Sequence, residues 1–192
     1  FDFRGTTFTS LSSDYSYVFR NMNVFGEVSK VLRPDVAAQN GWAMVHAAMM
    51  SLDPRFSFGV LYRNYQKDYQ TLYNAGFSEG SNTQNEEGTY AAVKWKFASA
   101  WSLNAYVDLF KFHWMKYGVD SPSYGHEILL QPVYRPSKTF EIYGRFRQQM
   151  RQKNSRDSDG TVTEIEDVMQ RNYRLNMSCV LNEFISLKTR LE

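Results

Sequence analysis

Polarity alternates with a period of two residues along several stretches of this chain, and no other feature constrains its fold as strongly. In residues 172–181, for example, Tyr173 and Leu175 fall on one side of the chain, and Arg174 and Asn176 fall on the other. Successive side chains of a β-strand point to opposite faces, whereas a helix would mix these two sets within two turns. The same alternation runs through residues 101–113, 140–147 and 185–191. The sequence therefore predicts an all-β protein.

Residues 41–52 are apolar on both sides and are open to two interpretations. Alanine and methionine are good helix formers, so a short helix would fit the composition of this stretch. However, the stretch ends at the turn sequence Asp53-Pro54-Arg55 and leads directly into a second apolar run that begins at Phe56. Short apolar runs bounded by turn residues are typical of buried strands, so we favour a strand here.

Short and long connections alternate along the chain. Short turns are predicted at residues 12–14, 53–55, 98–100, 136–139 and 182–183, and long polar links at residues 32–40, 70–88, 114–125 and 152–168. In an up-and-down meander every second connection lies at the same end of the sheet. The alternation therefore predicts one domain over residues 1–192, an antiparallel up-and-down meander of about ten strands with short turns at one end.

This difference between the two ends is typical of outer-membrane barrels, whose periplasmic turns are short and whose external loops are long. Aromatic residues also cluster where the predicted strands end, as in the girdles that such barrels place at headgroup level. Phe97 and Trp101 flank one short turn, Tyr134 and Phe140 flank another, and Phe110, Phe112 and Trp114 lie at the opposite end of the Trp101 strand. A soluble core would use aromatic residues in strands as well.

Charged residues lie deep within the polar faces of the predicted strands. In a membrane barrel they would line the lumen, and in a soluble sandwich or barrel they would face outside water, because both folds share the same alternation. The candidate lumen or polar-face residues are Asp108, Arg145, Arg147, Arg174, Lys188 and Arg190, with Lys94 and Lys96 on the same pattern. In a channel, a ladder of Arg145, Arg147, Lys188 and Arg190 would favour anionic solutes.

No set of residues indicates catalysis or a cofactor, so we expect neither. The nucleophile motif G-x-S-x-G and glycine-rich phosphate loops are absent from the sequence. His46, His113 and His126 are scattered, and His126-Glu127 is not followed by a second histidine at the spacing of a zinc protease. The single cysteine, Cys179, excludes an internal disulfide and a cysteine zinc cluster, and it is interpreted as a small apolar residue.

One loop resembles a calcium-binding template. Ser155, Asp157, Asp159, Gly160 and Glu166 occupy positions 1, 3, 5, 6 and 12 of that template. Serine stands where the template needs aspartate, and the flanking segments are predicted strands instead of helices. A solvated loop without a metal ion is therefore the favoured interpretation.

Four segments carry a resemblance to a known family: residues 61–70 (LYRNYQKDYQ), 78–88 (SEGSNTQNEEG), 101–110 (WSLNAYVDLF) and 119–125 (VDSPSYG). Together they resemble the C-terminal β-barrel region of helix-hairpin-helix proteins from Bacteroidota, which are often labelled as related to competence or DNA uptake. The resemblance covers the chain from about Tyr15 onward. It implies a barrel in the outer membrane with membrane lipid as its partner. The helix-hairpin-helix part is missing from this sequence, so no residue here is expected to contact nucleic acid.

Two functions remain open at the level of sequence. The first is an outer-membrane-type barrel, or a segment of one, with a structural or transport role; it predicts an apolar outer band and charges gathered inside. The second is a soluble β-barrel or sandwich that binds a small ligand or a protein partner, with apolar residues inside and charges outside. Because the sequence begins at Phe1, we expect an excised segment of a longer chain, whose open strand edges would pair with a second copy in a homodimer.

Overall fold

The structure is a computed structural model, and it describes residues 7–33, 40–71, 76–80, 82–156, 160 and 162–192. Within these residues every regular element is a β-strand, as the alternation predicts. The strands are β1 (Thr9–Phe19), β2 (Met22–Leu32), β3 (Gly41–Asp53), β4 (Phe56–Tyr65), β5 (Glu86–Trp95), β6 (Trp101–Phe112), β7 (Ser123–Tyr134), β8 (Phe140–Arg156), β9 (Val162–Val180) and β10 (Ser186–Leu191).

The strands form one 10-stranded sheet in which each strand pairs with its neighbours in sequence order. Every pairing is antiparallel, so the predicted up-and-down meander is confirmed. The strand interpretation of residues 41–52 is also confirmed, because β3 covers them. The sheet is not closed: among the described residues β1 pairs with β2 alone and β10 with β9 alone.

Cross-strand pairing sorts the side chains into two faces, because directly paired residues lie on the same side of a sheet. One face contains Arg63, Asp108 and Glu127, and we call it the concave face. The name rests on a cavity whose lining includes residues of this face from β2 through to β7, and on Glu79, which contacts both β5 and β8 across this face. The opposite side, which contains Val107 and Ile128, is the convex face.

The short turns lie at residues 20–21, 54–55, 96–100, 135–139 and 181–185. The turn predicted at residues 12–14 was wrong, because these residues lie inside β1, where Asp14 pairs with Glu27. Ser-Ser-Asp has the composition of a turn, but pairing along the full length of β1 and β2 overrides that local preference. The chain reverses instead at Arg20, which has a φ of 52° in the left-handed region.

The long link predicted at residues 152–168 was also wrong. β8 continues to Arg156 and β9 begins at Val162, so most of this stretch belongs to a hairpin. The two strands of this hairpin extend beyond Arg151, which is the last β8 residue that pairs with β7. Beyond that point the hairpin is not part of the wider sheet, so both of its faces can be polar. Asp157 and Asp159 of the calcium-like template lie outside the described residues.

The other three predicted links, between β2 and β3, β4 and β5, and β6 and β7, are long and lie at one end of the sheet. We call this the long-link end. The β6–β7 link packs on the hairpin: the Asn154 amide donates to the Gly118 carbonyl at 3.2 Å, and the Asp120 amide donates to the Asn154 side chain at 3.0 Å.

A small apolar cluster packs against the sheet near β2 and β3. It contains Val31, Ala43, Tyr65 and Tyr69, with Phe8 packed against it. Gly41 allows this contact, because a Cβ atom there would lie 2.2 Å from the backbone nitrogen of Tyr69. No helix in the described part of the chain is both long enough and apolar enough to span a membrane.

Candidate functional site

An ion cluster lies on the concave face near the long-link end, formed by Arg63, Glu86 and Asp108. The Arg63 Nε donates to Glu86 Oε1 at 2.6 Å, and its two Nη groups donate to the Asp108 carboxylate at 2.9 and 3.2 Å. The exposed fractions of the three residues are 0%, 0% and 3%. Gly88 makes the cluster possible, because a Cβ atom there would lie 2.6 Å from the Arg63 Cζ. The Arg63 side chain therefore extends from β4 over Gly88 of β5, where no side chain blocks it, and reaches Asp108 on β6.

Part of the β4–β5 link folds over the same face, and we call residues 76–80 the inner loop segment. The backbone amides of Glu79 and Gly80 donate to the Glu86 carboxylate at 2.9 and 3.0 Å. The Phe77 ring lies 5.1 Å from the Arg63 Cζ, and the Phe77 carbonyl accepts a hydrogen bond from the Tyr65 hydroxyl at 2.9 Å. The buried ion cluster thus fixes the position of the inner loop segment.

A second group of polar side chains surrounds Glu127 on β7. The Arg147 guanidinium donates to its two carboxylate oxygens at 2.7 and 2.6 Å. Gln149 Nε2 donates to Glu127 at 2.7 Å, and the Tyr106 hydroxyl donates to it as well. These contacts connect β6, β7 and β8 across the concave face.

Glu79 joins the two groups. Its side chain accepts from Arg151 Nη2 at 2.5 Å and from Gln149 Nε2 at 3.4 Å, while its backbone amide is bound to Glu86. Burial raises the pKa of Glu79 above its usual value, although the Arg151 guanidinium partly opposes this effect. The network therefore extends from β4 to β8 through a residue of the inner loop segment.

Lys116, in the β6–β7 link, lies beside this network. Burial and the nearby Arg151 guanidinium lower its pKa to about 8, against the attraction of Glu86 and Glu79. Its Nζ lies 3.2 Å from the centre of the Phe112 ring. The long-link end thus contains a lysine whose charge changes near neutral pH.

Two cavities lie on the concave face beside the ion network. The first, which we call the apolar trough, has a volume of about 720 Å³ and is lined by Phe25, Ala47, Met49, Leu61 and Leu129 among others. The second, which we call the polar basin, has a volume of about 530 Å³ and lies near the short turns. Its lining residues include Lys94, Lys96, Ser102, Gln131, Arg135, Glu141, Tyr143 and Arg145.

The structure places all the candidate residues from the sequence on the concave face, and three of them, Arg145, Arg147 and Arg174, line one cavity of about 430 Å³ together with Glu192. Asp108 binds Arg63, Arg147 binds Glu127, and the Arg145 Nε donates to Gln131 at 2.7 Å. Lys188 and Arg190 pair with Ser178 and Asn176 of β9, and Arg174 and Arg190 lie 2.6 and 3.9 Å from the Glu192 carboxylate. The proposed basic ladder is therefore divided, because Glu127 neutralises Arg147.

Sequence reasoning missed Arg63, Glu79, Glu86 and Glu127. Glu86 was assigned to a link, although it begins β5. The period-two pattern of β4 was the one sequence signal for Arg63, because it puts this residue on the side opposite Val60 and Tyr62. Its partners lie far along the chain, so only the register of β4, β5 and β6 reveals them.

The convex face exposes large apolar side chains across the sheet. Leu109, Leu175 and Leu187 are 54%, 46% and 52% exposed, and all three lie opposite the charged face. Lys, Arg, Asp and Glu side chains on this face lie toward the long-link ends of the strands at Lys30, Glu87, Lys111 and Asp167. Arg171 is the exception, because it lies in the middle of β9 in the same register row as Val107 and Ile128. The convex face is therefore an apolar band with a charged border along the long-link end and one arginine within it on β9.

An aromatic row borders the same band near the short turns. Trp95 contacts Phe97, Phe97 contacts Trp101, and Trp101 contacts Tyr134, with ring centres 5.5, 6.4 and 4.7 Å apart. The girdle position expected for Phe110 and Phe112 was wrong. Both share the concave side of β6 with Asp108, where they are 4% exposed, because they follow it at even spacing along the strand.

No protein-family model and no curated protein matches this chain. Among the described residues, no group of three or more His, Cys, Asp and Glu side chains is placed to hold a metal ion. The two faces of the sheet are therefore the features that bear on function.

Proposed function

We propose that this chain forms the wall of an outer-membrane-type β-barrel, with a structural or transport role in the cell envelope. The observation that supports the proposal is the division between the faces: the convex face is apolar and the concave face contains the ion network. This is the arrangement of a transmembrane barrel, in which apolar side chains face lipid and polar side chains face the lumen. A soluble barrel with a packed interior has the opposite arrangement.

The convex face exposes apolar surface to its surroundings. Exposed side chains such as Leu109, Leu130 and Tyr173 belong to one continuous convex face. A contiguous apolar surface of this kind is unfavourable in water, and it marks a lipid or protein interface when it occurs. The aromatic row from Trp95 to Tyr134 supports lipid, because amphipathic rings favour the headgroup level.

The proposal also accounts for the open edges of the sheet. In lipid the unpaired backbone groups of β1 and β10 have no water to bond, so a membrane-embedded sheet must be closed. Under the proposal, further strands of a longer chain or a second copy complete the ring. Membrane lipid is then the partner of the convex face.

The resemblance to the barrel region of helix-hairpin-helix proteins from Bacteroidota supports the same location in the outer membrane. It extends to no DNA contact, because the helix-hairpin-helix part is missing from this sequence. Within the ion network the arginines are paired with carboxylates.

A soluble binding module remains the second candidate, and the apolar trough favours it. Ligand sites are commonly concave and mostly apolar, and the trough volume of about 720 Å³ lies within their usual range. Under this alternative a partner protein must cover the convex face.

The two candidates differ in their need for detergent. We would purify the chain with and without detergent and measure its mass by size-exclusion chromatography with light scattering. A membrane barrel is expected to aggregate without detergent and to change its gel mobility after boiling. A clean soluble monomer would contradict the membrane proposal, and a discrete soluble dimer would indicate that a second copy covers the sheet edge or convex face.

A further inference from the structure

The apolar trough and the polar basin adjoin each other on the concave face, and we call the two together the depression. Ser57, Lys94 and Asn104 line both cavities and mark where they meet. The trough is lined mainly by apolar groups, including the exposed side chain of Met49. One end of the depression is thus apolar, and its other end is polar.

The polar end has an excess of positive charge. Arg55, Lys94, Lys96, Arg135 and Arg145 line it, with Glu141 as the carboxylate among its lining residues. Glu141 is already paired with Arg135, and Arg55 is paired with Asp53 outside the basin. Lys94 and Lys96 take part in neither pair.

We propose that this depression binds a single-chain anionic amphiphile, with its aliphatic chain in the apolar trough and its anionic head at Lys94 in the polar basin. A carboxylate or phosphate head would complement Lys94 and Arg145, since both groups accept charge-assisted hydrogen bonds. The trough is large enough for a small ligand.

Neither part of such a ligand is sufficient alone. An uncharged hydrocarbon would leave the cations of the basin without a partner, and a small hydrophilic anion would leave the trough exposed to water. Lys94 lines both cavities together with Ser57 and Asn104, and it is the cation among these three, so the junction between chain and head should lie beside it. The proposal goes beyond the proposed function and holds for a soluble module as well as for a barrel.

We would test it by equilibrium dialysis of the full chain, held in amphipol, against dodecanoate, dodecyl phosphate, dodecanol and inorganic phosphate. Dodecanoate or dodecyl phosphate is expected to bind at least tenfold more tightly than dodecanol and inorganic phosphate, and the tighter of the two identifies the head group. Equal binding of dodecanol would overturn the role of the basin. Equal binding of inorganic phosphate would overturn the role of the trough.

Three variants assign the binding to these residues. Lys94→Gln is expected to weaken binding of the preferred amphiphile about tenfold while leaving dodecanol unchanged, and Met49→Asp is expected to weaken it by at least as much. Lys188→Gln is the matched control, because Lys188 lies on the concave side of β10 away from both cavities, and it should bind like the wild type. Since Met49 and Lys94 are exposed, both variants should fold. Unchanged binding in either variant, with unchanged circular dichroism, would overturn the proposal.

Discussion

At the scale of single residues, glycines decide where bulky side chains cross the sheet. Arg63 lies opposite Gly88 and Phe110 lies opposite Gly125, and in both pairs a Cβ atom on the glycine would lie 2.6 Å from the facing side chain. Such a distance is shorter than any van der Waals contact, so a side chain there would displace its neighbour. The packing of the concave face therefore depends on Gly88 and Gly125, which have no side chain of their own.

Gly88→Ala is expected to move the Arg63 guanidinium away from Asp108. Breaking a buried ion pair costs about 3–5 kcal/mol, and we expect a loss of unfolding free energy up to that size. Denaturant unfolding in detergent micelles would measure it. Gly144→Ala is the matched control, because a Cβ atom there meets nothing within 4 Å. Equal stability of the two variants would show that Arg63 has another favourable position.

Lys116 gives a prediction that depends on pH. Its pKa in the folded chain is about 8, below its usual value of 10.5, so the unfolded chain binds more protons between these two values and wild-type stability rises with pH there. Lys116→Met removes the buried charge. We expect it to raise the melting temperature at pH 7, with a gain that shrinks as the pH rises from 8 toward 10.5. A gain that stays constant with pH would contradict the assigned cause.

At the scale of elements, period-two alternation was sufficient for the strands and for the division into faces. It placed Ser102, Asn104, Tyr106 and Asp108 on one side of β6, as the register confirms. The alternation pattern failed at residues 152–168. These residues form a hairpin that extends past β7 and has no apolar face, so their polarity does not alternate.

The candidate site was less predictable than the strands. The Arg63–Asp108 contact joins residues that are 45 positions apart and crosses an intervening strand, so it depends on two registers at once. The inner loop segment is polar in sequence and has no periodicity that indicates where it lies. Only its contacts with Glu86 and Arg151 place it over the concave face.

These contacts give a prediction for the inner loop segment. Arg151→Ala removes the shorter of the two side-chain contacts of Glu79 but keeps its contact with Gln149 and the backbone bonds to Glu86, so the segment should loosen without being released. We expect amide hydrogen exchange at Glu79 and Gly80 to become about tenfold faster, as measured by mass spectrometry. Arg171→Ala on the convex face is the control and should leave this exchange unchanged. Equal exchange in both variants would mean that the contacts with Glu86 and Tyr65 hold the segment without Arg151.

At the scale of the whole molecule, the same binary pattern serves a packed soluble sheet and a lipid-facing one, and the difference lies in which face curls inward. The concave face contains the ion pairs and the convex face the exposed leucines. A soluble sheet that curls in this way must hide its convex face against a protein, and a membrane sheet exposes it to lipid. A charge placed on each face in turn therefore distinguishes the two environments.

Ala91 and Ala92 provide this comparison near the middle of β5. Ala91 pairs with Val60 and Val107 on the convex face, while Ala92 pairs with Gly59 and Tyr106 and lines the apolar trough. An arginine facing lipid at the bilayer midplane costs about 2–4 kcal/mol, and a lumen arginine costs far less. If the convex face contacts lipid, Ala91→Arg should lower the yield of heat-modifiable protein in refolding into lipid vesicles, and Ala92→Arg should refold like the wild type. If Ala92→Arg lowers the yield and Ala91→Arg does not, the concave face is the apolar interior and the convex face contacts water. That result would favour the soluble module, because a solvated convex face accepts an arginine and a packed interior does not.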